Sequence, residues 1–261
     1  LGLSAVTICS QLPVFAAEET AQATDTAAQP QTADPSVVTT NGIDGWPQAS
    51  DISSTAAIVM ETSTNTVLYS KNADQALYPA SAVKVMTCLV ALENSSLDDQ
   101  VTMTATGVSG VTDGGANISS QLDEVFTMEQ CLYAIMVASA NDIALQVAEH
   151  VGGSVDAFVQ TMNTRAQELG CTNTVFTNPT GLPDENQHIT AHDMALIMEA
   201  AMANKTFRTI AATTSYTLPA TNVSGGERVL TNSFTMINNP SDGYYEPCIG
   251  GKEGYTEASG S

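Results

Sequence analysis

Apolar and polar positions repeat with two different periods along this chain, and together they predict an α+β domain. Short apolar runs at Ala57–Met60 and Thr66–Tyr69, joined by a polar connection, predict a β-hairpin. Longer stretches with helical spacing fill the middle of the chain, and strand-like segments return near its end. We therefore expect an antiparallel sheet flanked by helices, with a helical subdomain. The predicted helices cover about 82–93, 127–136, 141–151, 154–169 and 191–203, and the late strands about 216–218 and 249–256.

Capping signals support several of these helix boundaries. Thr127 and Gln130 form the ends of a capping box, which predicts a helix start. Ser154 and Thr190 stand at N-cap positions of two later helices. The pair Gly152-Gly153 predicts the end of the helix between them.

The first 47 residues differ in composition from the rest. Residues 1–17 carry no charge, are mostly apolar and end in small residues, which predicts a partial export signal; a buried N-terminal strand or helix is the alternative. Residues 18–47 contain acidic but no basic side chains, with many Ala, Thr, Gln and Pro residues, and predict a disordered acidic tether. The folded domain is then expected over residues 48–261.

Charge and cysteine content exclude some functions. Seven basic against 28 acidic side chains give a net charge of -21, which argues against binding to nucleic acid or to an anionic membrane surface. An export signal predicts an extracytoplasmic location, where thiols can oxidise. Four cysteines would remain after signal cleavage, as buried thiols or with one disulfide, and no pair has zinc-ligand spacing with a histidine. These four are Cys88, Cys131, Cys171 and Cys248.

A serine and a lysine at helical spacing form the first chemical motif, Ser81-Ala-Val-Lys84. The segment around Lys84 is apolar, and a buried ammonium is costly without a partner or a lowered pKa. Spacing i, i+3 puts both side chains on one face of a helix, where a desolvated lysine can take the proton of a serine nucleophile. The alternative is that Ser81 only caps the helix.

Two further short motifs follow. Ser139-Ala-Asn141 lies at a break between two predicted helices, so both side chains can face one cavity; alternatively, Asn141 only caps the second helix. Lys252-Glu253-Gly254 lies in a strand-like segment near the end, where Gly254 permits close approach of a substrate backbone; a plain glycine-rich hairpin is the alternative.

Taken together, these motifs resemble the D-alanyl-D-alanine carboxypeptidases, the low-molecular-mass penicillin-binding proteins. The resemblance runs from about Ala57 to the last residue. It includes Tyr78-Pro-Ala-Ser81, the block Met136–Asp142, Asn178-Pro-Thr-Gly-Leu182 and the segment His188–Asp193.

The resemblance implies a role for each motif residue. Ser81 would be the acylated nucleophile and Lys84 its general base. Ser139 and Asn141 would relay protons and hold the substrate amide. The family removes the terminal D-alanine from peptidoglycan stem peptides without a metal or organic cofactor, and β-lactams trap the same serine.

The third motif would bind the substrate. By the resemblance, Lys252 supplies positive charge for the substrate carboxylate, and the Tyr255 N–H completes an oxyanion hole with that of Ser81. The family has threonine where this chain has Glu253, next to Gly254, and an ionised glutamate cannot donate to the carboxylate. We therefore expect an impaired or altered carboxypeptidase.

Two other functions stay open. A penicillin-fold domain that binds wall peptides without turnover is favoured by Glu253. A β-lactamase is less favoured, because it needs a deacylating Glu-x-x-Leu-Asn loop and none occurs between Asn141 and Lys252. The sequence stops a few residues beyond the third motif, so we expect the family's C-terminal strands, and any anchoring helix, to lie outside it.

Overall fold

The structure, a computed structural model, describes residues 7–9, 37–46, 48–50, 52–111 and 115–259. Its strands are β1 (Thr7–Cys9), β2 (Val37–Thr39), β3 (Ala57–Glu61), β4 (Thr66–Lys71), β5 (Gln100–Thr102), β6 (Val125–Thr127), β7 (Ser215–Leu218), β8 (Arg228–Thr231) and β9 (Cys248–Gly251). Its helices are α1 (Lys84–Asn94), α2 (Ala105–Ser109), α3 (Met128–Val137), α4 (Asn141–Gly152), α5 (Val155–Glu168), α6 (Ala191–Ala203) and α7 (Lys205–Ala211).

Helix α1 is the centre of the hydrophobic core. It packs against α3, α4, α5, α6 and α7, and every residue from Lys84 to Ala91 is buried. A helix that is apolar on all sides is stable only when neighbours surround it, and here five helices do so. The first turn of α1 is therefore buried as completely as its middle, so Lys84 is shielded from solvent.

The predicted helices form with their predicted caps. Thr127 and Gln130 make both bonds of the capping box of α3, Ser154 accepts from the amide of Ala157 in α5, and Thr190 accepts from the amide of Asp193 in α6. Helix α4 ends at Gly152, followed by Gly153 with a φ of 74°. Between residues 52 and 259, the sequence did not predict α2, α7, β5, β6 or β8.

In the described part of the chain, the strands form four small antiparallel sheets instead of one continuous sheet. The predicted hairpin is present as β3 and β4, with β2 on the other side of β4. Strand β9 pairs with β1, while β5 pairs with β6 and β7 with β8. Helix α6 packs on β3, helix α7 packs on β9, and the two helices pack on each other. They therefore connect the sheet of β2, β3 and β4 with the sheet of β1 and β9.

The N-terminal predictions fall mostly outside the described residues. Of the predicted export signal, residues 1–17, the structure describes Thr7–Cys9, the strand β1. Of the predicted tether, residues 18–47, it describes 37–46, and Val37–Thr39 form β2. The β-branched residues of this run favour an extended strand that can pair with β4. Strand β2 lies before residue 48, and the domain boundary expected there stays a prediction.

Of the cysteine alternatives, buried thiols are the ones observed. Cys88, Cys131, Cys171 and Cys248 are all free and buried. Burial raises the pKa of the Cys88 and Cys131 thiols far above the usual value, so both stay protonated and pack as small apolar groups.

Candidate active site

Ser81 lies in a 3-10 turn that leads into α1. The turn covers Ala80–Val83, and Lys84 is the first residue of the α-helix. No side chain caps either element, so the capping alternative for Ser81 is wrong. Ala80 has a φ of 46°, in the left-handed region that costs a non-glycine residue of the order of 1 kcal/mol or more. The backbone is thus strained directly before the serine.

The amine of Lys84 is fully buried and has three oxygen neighbours. Its Nζ atom lies 3.0 Å from Ser81 Oγ, 2.6 Å from Asn141 Oδ1 and 2.5 Å from the carbonyl oxygen of Thr180. The lysine side chain has no exposed surface, whereas Ser81 is partly exposed. The first two motifs, 57 residues apart in sequence, therefore meet at one nitrogen atom.

This geometry fits a neutral lysine. Burial lowers the pKa of Lys84 well below its usual value, and the positive charge of Lys252 lowers it further. A neutral amine has two N–H donors and one lone pair. Asn141 Oδ1 and the Thr180 carbonyl can only accept, so the two N–H bonds go to them. The lone pair is then left for the hydroxyl proton of Ser81.

The loop from Asn178 to Leu182 holds the Thr180 carbonyl oxygen in its position next to Lys84 Nζ. Asn178 Oδ1 accepts from the amides of Thr180 and Gly181 and from the Thr180 hydroxyl, at 2.8–3.1 Å. Thr87 of α1 donates to the carbonyl of Pro179 at 2.7 Å. Gly181 has a φ of 84°, and a Cβ atom there would collide with the carbonyl oxygen of Ala80. Only glycine therefore lets this loop close against the turn that carries the serine.

The two residues of the second motif are placed differently. Asn141 is the first residue of α4 and does not cap it, because its side chain is turned to Lys84. Ser139 precedes the helix, is partly exposed and has a φ of 55°. Its hydroxyl makes no hydrogen bond to Ser81 or Lys84 within the described part of the chain. The break between α3 and α4 thus brings Asn141 into contact with Lys84, whereas the Ser139 hydroxyl is not bonded to this cluster.

Asp142, which the sequence reading did not single out, ties a loop to this break. Its buried carboxylate accepts from the amides of Ile118 and Ser120 and from the Ser120 hydroxyl, at 2.7–3.3 Å. The amide of Asn141 donates to the carbonyl of Ala116 at 2.8 Å. A Cβ atom on Gly115 would lie 2.5 Å from Asn141 Nδ2. This loop therefore leaves no room for a side chain at Gly115, next to the Asn141 amide that contacts Lys84.

The third motif passes directly in front of the serine. The ladder of β9 ends at Gly251, earlier than the strand predicted to residue 256, and residues 252–255 continue outside it. A Cβ atom on Gly254 would lie 2.6 Å from the Ser81 amide nitrogen. Tyr255 is exposed. The missing side chain of Gly254 keeps the space before the Ser81 amide open.

Lys252 and Glu253 carry opposite charges at this edge. Lys252 is buried, and its Nζ donates to the backbone carbonyl of Glu253 at 2.6 Å. Burial lowers the pKa of Lys252 to about 8, while the Glu253 carboxylate acts in the opposite direction and raises it. Glu253 is partly exposed. The segment that passes the serine therefore carries one cation and one anion, in addition to the neutral amine of Lys84.

The three histidines lie apart from this cluster. His192 Nδ1 lies 3.2 Å from an oxygen of the exposed Asp74, and His188 Nδ1 lies 3.1 Å from the carbonyl of Asn186. His150 is exposed in the last turn of α4. No Ser-His-Asp arrangement occurs among the residues that the structure describes.

Comparison with known proteins shows to which family this chain belongs. Residues 44–261 match the profile of the D-alanyl-D-alanine carboxypeptidase family. The chain belongs to this family. It is 35% identical over 207 residues to the D-alanyl-D-alanine carboxypeptidase DacB2 of Mycobacterium tuberculosis, an alignment that covers 77% of the chain and 66% of the relative. It is 38% identical over 147 residues to DacF of Bacillus subtilis, which covers 54% of the chain and 37% of that relative.

Solved structures agree with the carboxypeptidase fold. The crystal structure of a D-alanyl-D-alanine carboxypeptidase from Mycobacterium tuberculosis superposes with a TM-score of 0.72 at 32% identity, over 82% of this chain and 78% of that one. A DD-transpeptidase from Streptomyces superposes with a TM-score of 0.74 at 28% identity, over 81% and 84% of the two chains. The expected fold class, helices combined with antiparallel strands, is confirmed. Of the described helices, none is both long and apolar enough to span a bilayer.

Proposed function

We propose that this chain is a serine-type D-Ala-D-Ala carboxypeptidase that removes the terminal D-alanine of peptidoglycan stem peptides. The observation that carries the proposal is the buried amine of Lys84, 3.0 Å from Ser81 Oγ, with its two N–H donors engaged by Asn141 and Thr180. The chain spans only 66% and 37% of the lengths of the two relatives named above, so the activity of the whole protein is part of the proposal.

The proposed acylation starts from a neutral Lys84 amine next to the Ser81 hydroxyl. Lys84 Nζ takes the proton of the Ser81 hydroxyl, and Oγ attacks the carbonyl carbon of the penultimate D-alanine. The carbonyl electrons move onto oxygen, where the backbone N–H groups of Ser81 and Tyr255 stabilise the charge. When the intermediate collapses, the C–N bond breaks, and the departing D-alanine takes the proton from Lys84 by way of Ser139. An ester between Ser81 and the peptide remains, and water hydrolyses it.

The substrate is oriented by the second and third motifs. Asn141 binds the substrate amide, and Lys252 attracts the terminal carboxylate. Gly254 lets the peptide backbone approach the serine along the segment after β9. Glu253 repels the same carboxylate, since two like charges about 4 Å apart interact by roughly 4 kcal/mol at an effective dielectric of 20. Partial exposure of Glu253 weakens this, and a reduced substrate affinity is expected.

A β-lactam is the natural probe of this mechanism. Its strained amide carbonyl meets the same nucleophile, and the acyl group stays attached because no amine departs. Because stem peptides lie outside the cytoplasmic membrane, the proposed activity belongs at the cell wall, which is also what the predicted export signal implies.

The test combines covalent labelling with hydrolysis. A fluorescent penicillin should label the protein stably, and a peptide ending in D-Ala-D-Ala should release D-alanine. Ser81→Ala should lose both activities, whereas Ser109→Ala, at the exposed end of α2, should keep them. Each variant is checked for its melting temperature.

The outcomes separate the alternatives. Stable labelling with release of D-alanine supports the carboxypeptidase. Stable labelling without any release indicates an acylating domain that does not turn over peptide. Rapid loss of the label indicates a β-lactamase, and failure to label indicates a peptide-binding module, the alternative that Glu253 favours.

A further inference from the structure

Thr87, in the first turn of α1, carries a buried hydroxyl group that bonds outside its own helix. The side chain has no exposed surface, and its Oγ1 atom lies 2.7 Å from the carbonyl oxygen of Pro179. The carbonyl oxygen of Val83, one turn back in the chain, is 3.5 Å away. A hydroxyl group has one proton to donate, and the shorter distance is the one that suits an O–H···O bond. The proton of Thr87 is therefore directed at the loop that contains Pro179.

Other threonines in helices of this protein bond differently. In α5 the hydroxyls of Thr161 and Thr164 donate to carbonyls four residues back, at 3.1 and 3.0 Å, and Thr209 in α7 does the same at 3.2 Å. This is a common bond of threonine within a helix, and all three side chains are exposed. Thr87 departs from the pattern because a loop carbonyl lies closer to it than the carbonyl of its own helix.

The loop contacts the start of α1 through three consecutive residues. The carbonyls of Pro179 and Thr180 accept hydrogen bonds at 2.7 and 2.5 Å, and Gly181 lies directly against a backbone carbonyl. The partners of these three residues are, in the same order, Thr87, Lys84 and Ala80. Lys84 and Thr87 are three residues apart and therefore lie on one face of α1. The loop thus runs along this face in the direction opposite to the helix.

The position of the Thr180 carbonyl decides where the lone pair of Lys84 points. The two N–H bonds of the neutral amine go to Asn141 and to this carbonyl, which leaves the lone pair for Ser81. The Pro179 carbonyl belongs to the planar peptide unit that leads into Thr180, so a bond that fixes its oxygen also fixes the plane before Thr180. A loop that moves away from α1 would take one of the two acceptors from the amine.

We propose that Thr87 is a positioning residue, whose hydroxyl group holds the loop carbonyl that orients the Lys84 amine toward Ser81. It acts through the loop and not on the reacting atoms. This inference rests on the proposed function, because it concerns the base that activates the serine in that reaction.

Two substitutions separate the hydroxyl group of Thr87 from its methyl group. Thr87→Val keeps the shape of the side chain and removes the donor, whereas Thr87→Ser keeps the donor and removes the methyl group. Both should lower the melting temperature, because the first leaves the buried Pro179 carbonyl without its partner and the second leaves a small cavity. Only the valine variant should slow the reaction at Ser81.

The measurement is acylation of the full chain by a fluorescent penicillin over a range of concentrations. Saturation separates the dissociation constant of the noncovalent complex from the rate constant of acylation. Thr87→Val should lower the rate constant about tenfold, the effect of one hydrogen bond, with an unchanged dissociation constant. Thr87→Ser should acylate at close to the wild-type rate. Thr164→Val is the matched control, since it removes an exposed hydroxyl that bonds only within α5, and it should match the wild-type protein.

The outcomes distinguish this inference from the proposed function. A wild-type rate constant in Thr87→Val, or a loss confined to the dissociation constant, overturns the positioning role and leaves the carboxypeptidase intact. A rate constant of Thr87→Ser that falls about tenfold overturns it as well, whether or not the valine variant folds, because packing and not the hydroxyl would then matter. Absence of both penicillin labelling and D-alanine release in the wild-type protein overturns the two proposals together.

Discussion

Lys84 Nζ and Ser81 Oγ lie 3.0 Å apart, and the lysine reaches this position without any exposed surface. Its place at the start of a helix enclosed by five others removes water, and its two acceptors leave the lone pair directed at the serine. The chemical competence of the serine thus depends on how the core is packed around α1.

The dependence of acylation on pH should have two limbs. Lys84 has to be neutral, so kcat/KM rises with pH through its lowered pKa. Lys252 has to be charged to attract the substrate carboxylate, so kcat/KM falls above its pKa of about 8. Initial rates of D-alanine release between pH 5 and about 10 would measure this. A rate that still rises above pH 9 would contradict the role given to Lys252.

Replacing Glu253 by threonine should improve the enzyme. The substrate carboxylate loses a repelling charge and gains a hydroxyl donor, so kcat/KM should rise about tenfold. Glu253 raises the pKa of Lys252, and the falling limb of the pH profile should therefore move to lower pH in this variant. Glu253→Gln is the control, because it removes the charge without adding the hydroxyl. Equal rates for Glu253→Thr and the wild-type protein would show that the residue does not matter.

A single methyl group on Gly115 should displace the active-site amide. Its Cβ would lie 2.5 Å from Asn141 Nδ2, and the end of a side chain moves more easily than the backbone. Loss of the bond from Lys84 to Asn141 should slow penicillin acylation about tenfold, the value of one hydrogen bond, with a nearly unchanged melting temperature. Gly226→Ala, where nothing lies within 4 Å, should react at the wild-type rate. If both variants acylate equally fast, Asn141 does not position Lys84.

Stability should depend on one buried ion pair far more than on a surface pair. Glu124 is fully buried and paired with Arg228, whose guanidinium lies 5.2 Å from the ring centre of Phe126. Arg228→Met leaves a buried carboxylate without its partner and should lower the free energy of unfolding by about 3–5 kcal/mol.

Arg165 and Glu93 form the matched surface pair, with about a third of each side chain exposed. Arg165→Met should cost about 0.2–1 kcal/mol. Denaturant unfolding of both variants measures the difference, and similar losses would argue against a special role for the buried pair.

Much of the site could be predicted because its residues stand in short motifs. The i, i+3 spacing of Ser81 and Lys84 holds in the structure, although the serine lies in a 3-10 turn and not in the helix. The contact of Lys84 with Thr180 could not be predicted, since a backbone carbonyl has no signature and the two residues are 96 positions apart. The Asn-Pro-x-Gly pattern at 178–181 was the available signal, because it favours a turn in which asparagine bonds its own loop.

The strand arrangement was harder to predict for a different reason. Each strand is three to six residues long, and pairing partners such as β2 and β4 are far apart in sequence. Local apolar patterns show that Val37–Thr39 favours an extended chain, but not which edge it joins. The cap residues, in contrast, act within their own turn, and Thr127, Ser154 and Thr190 were predicted correctly.

The four buried thiols can report local opening of the folded structure. A thiol reagent reaches Cys88 or Cys131 only when the helices around α1 part, and Cys171 and Cys248 lie in other regions of the fold. Alkylation under native conditions, followed by peptide mapping, therefore yields a separate opening rate for each region without any engineered label. Acylation at Ser81 should slow the alkylation of Cys88 first, because that residue lies one helical turn beyond Lys84.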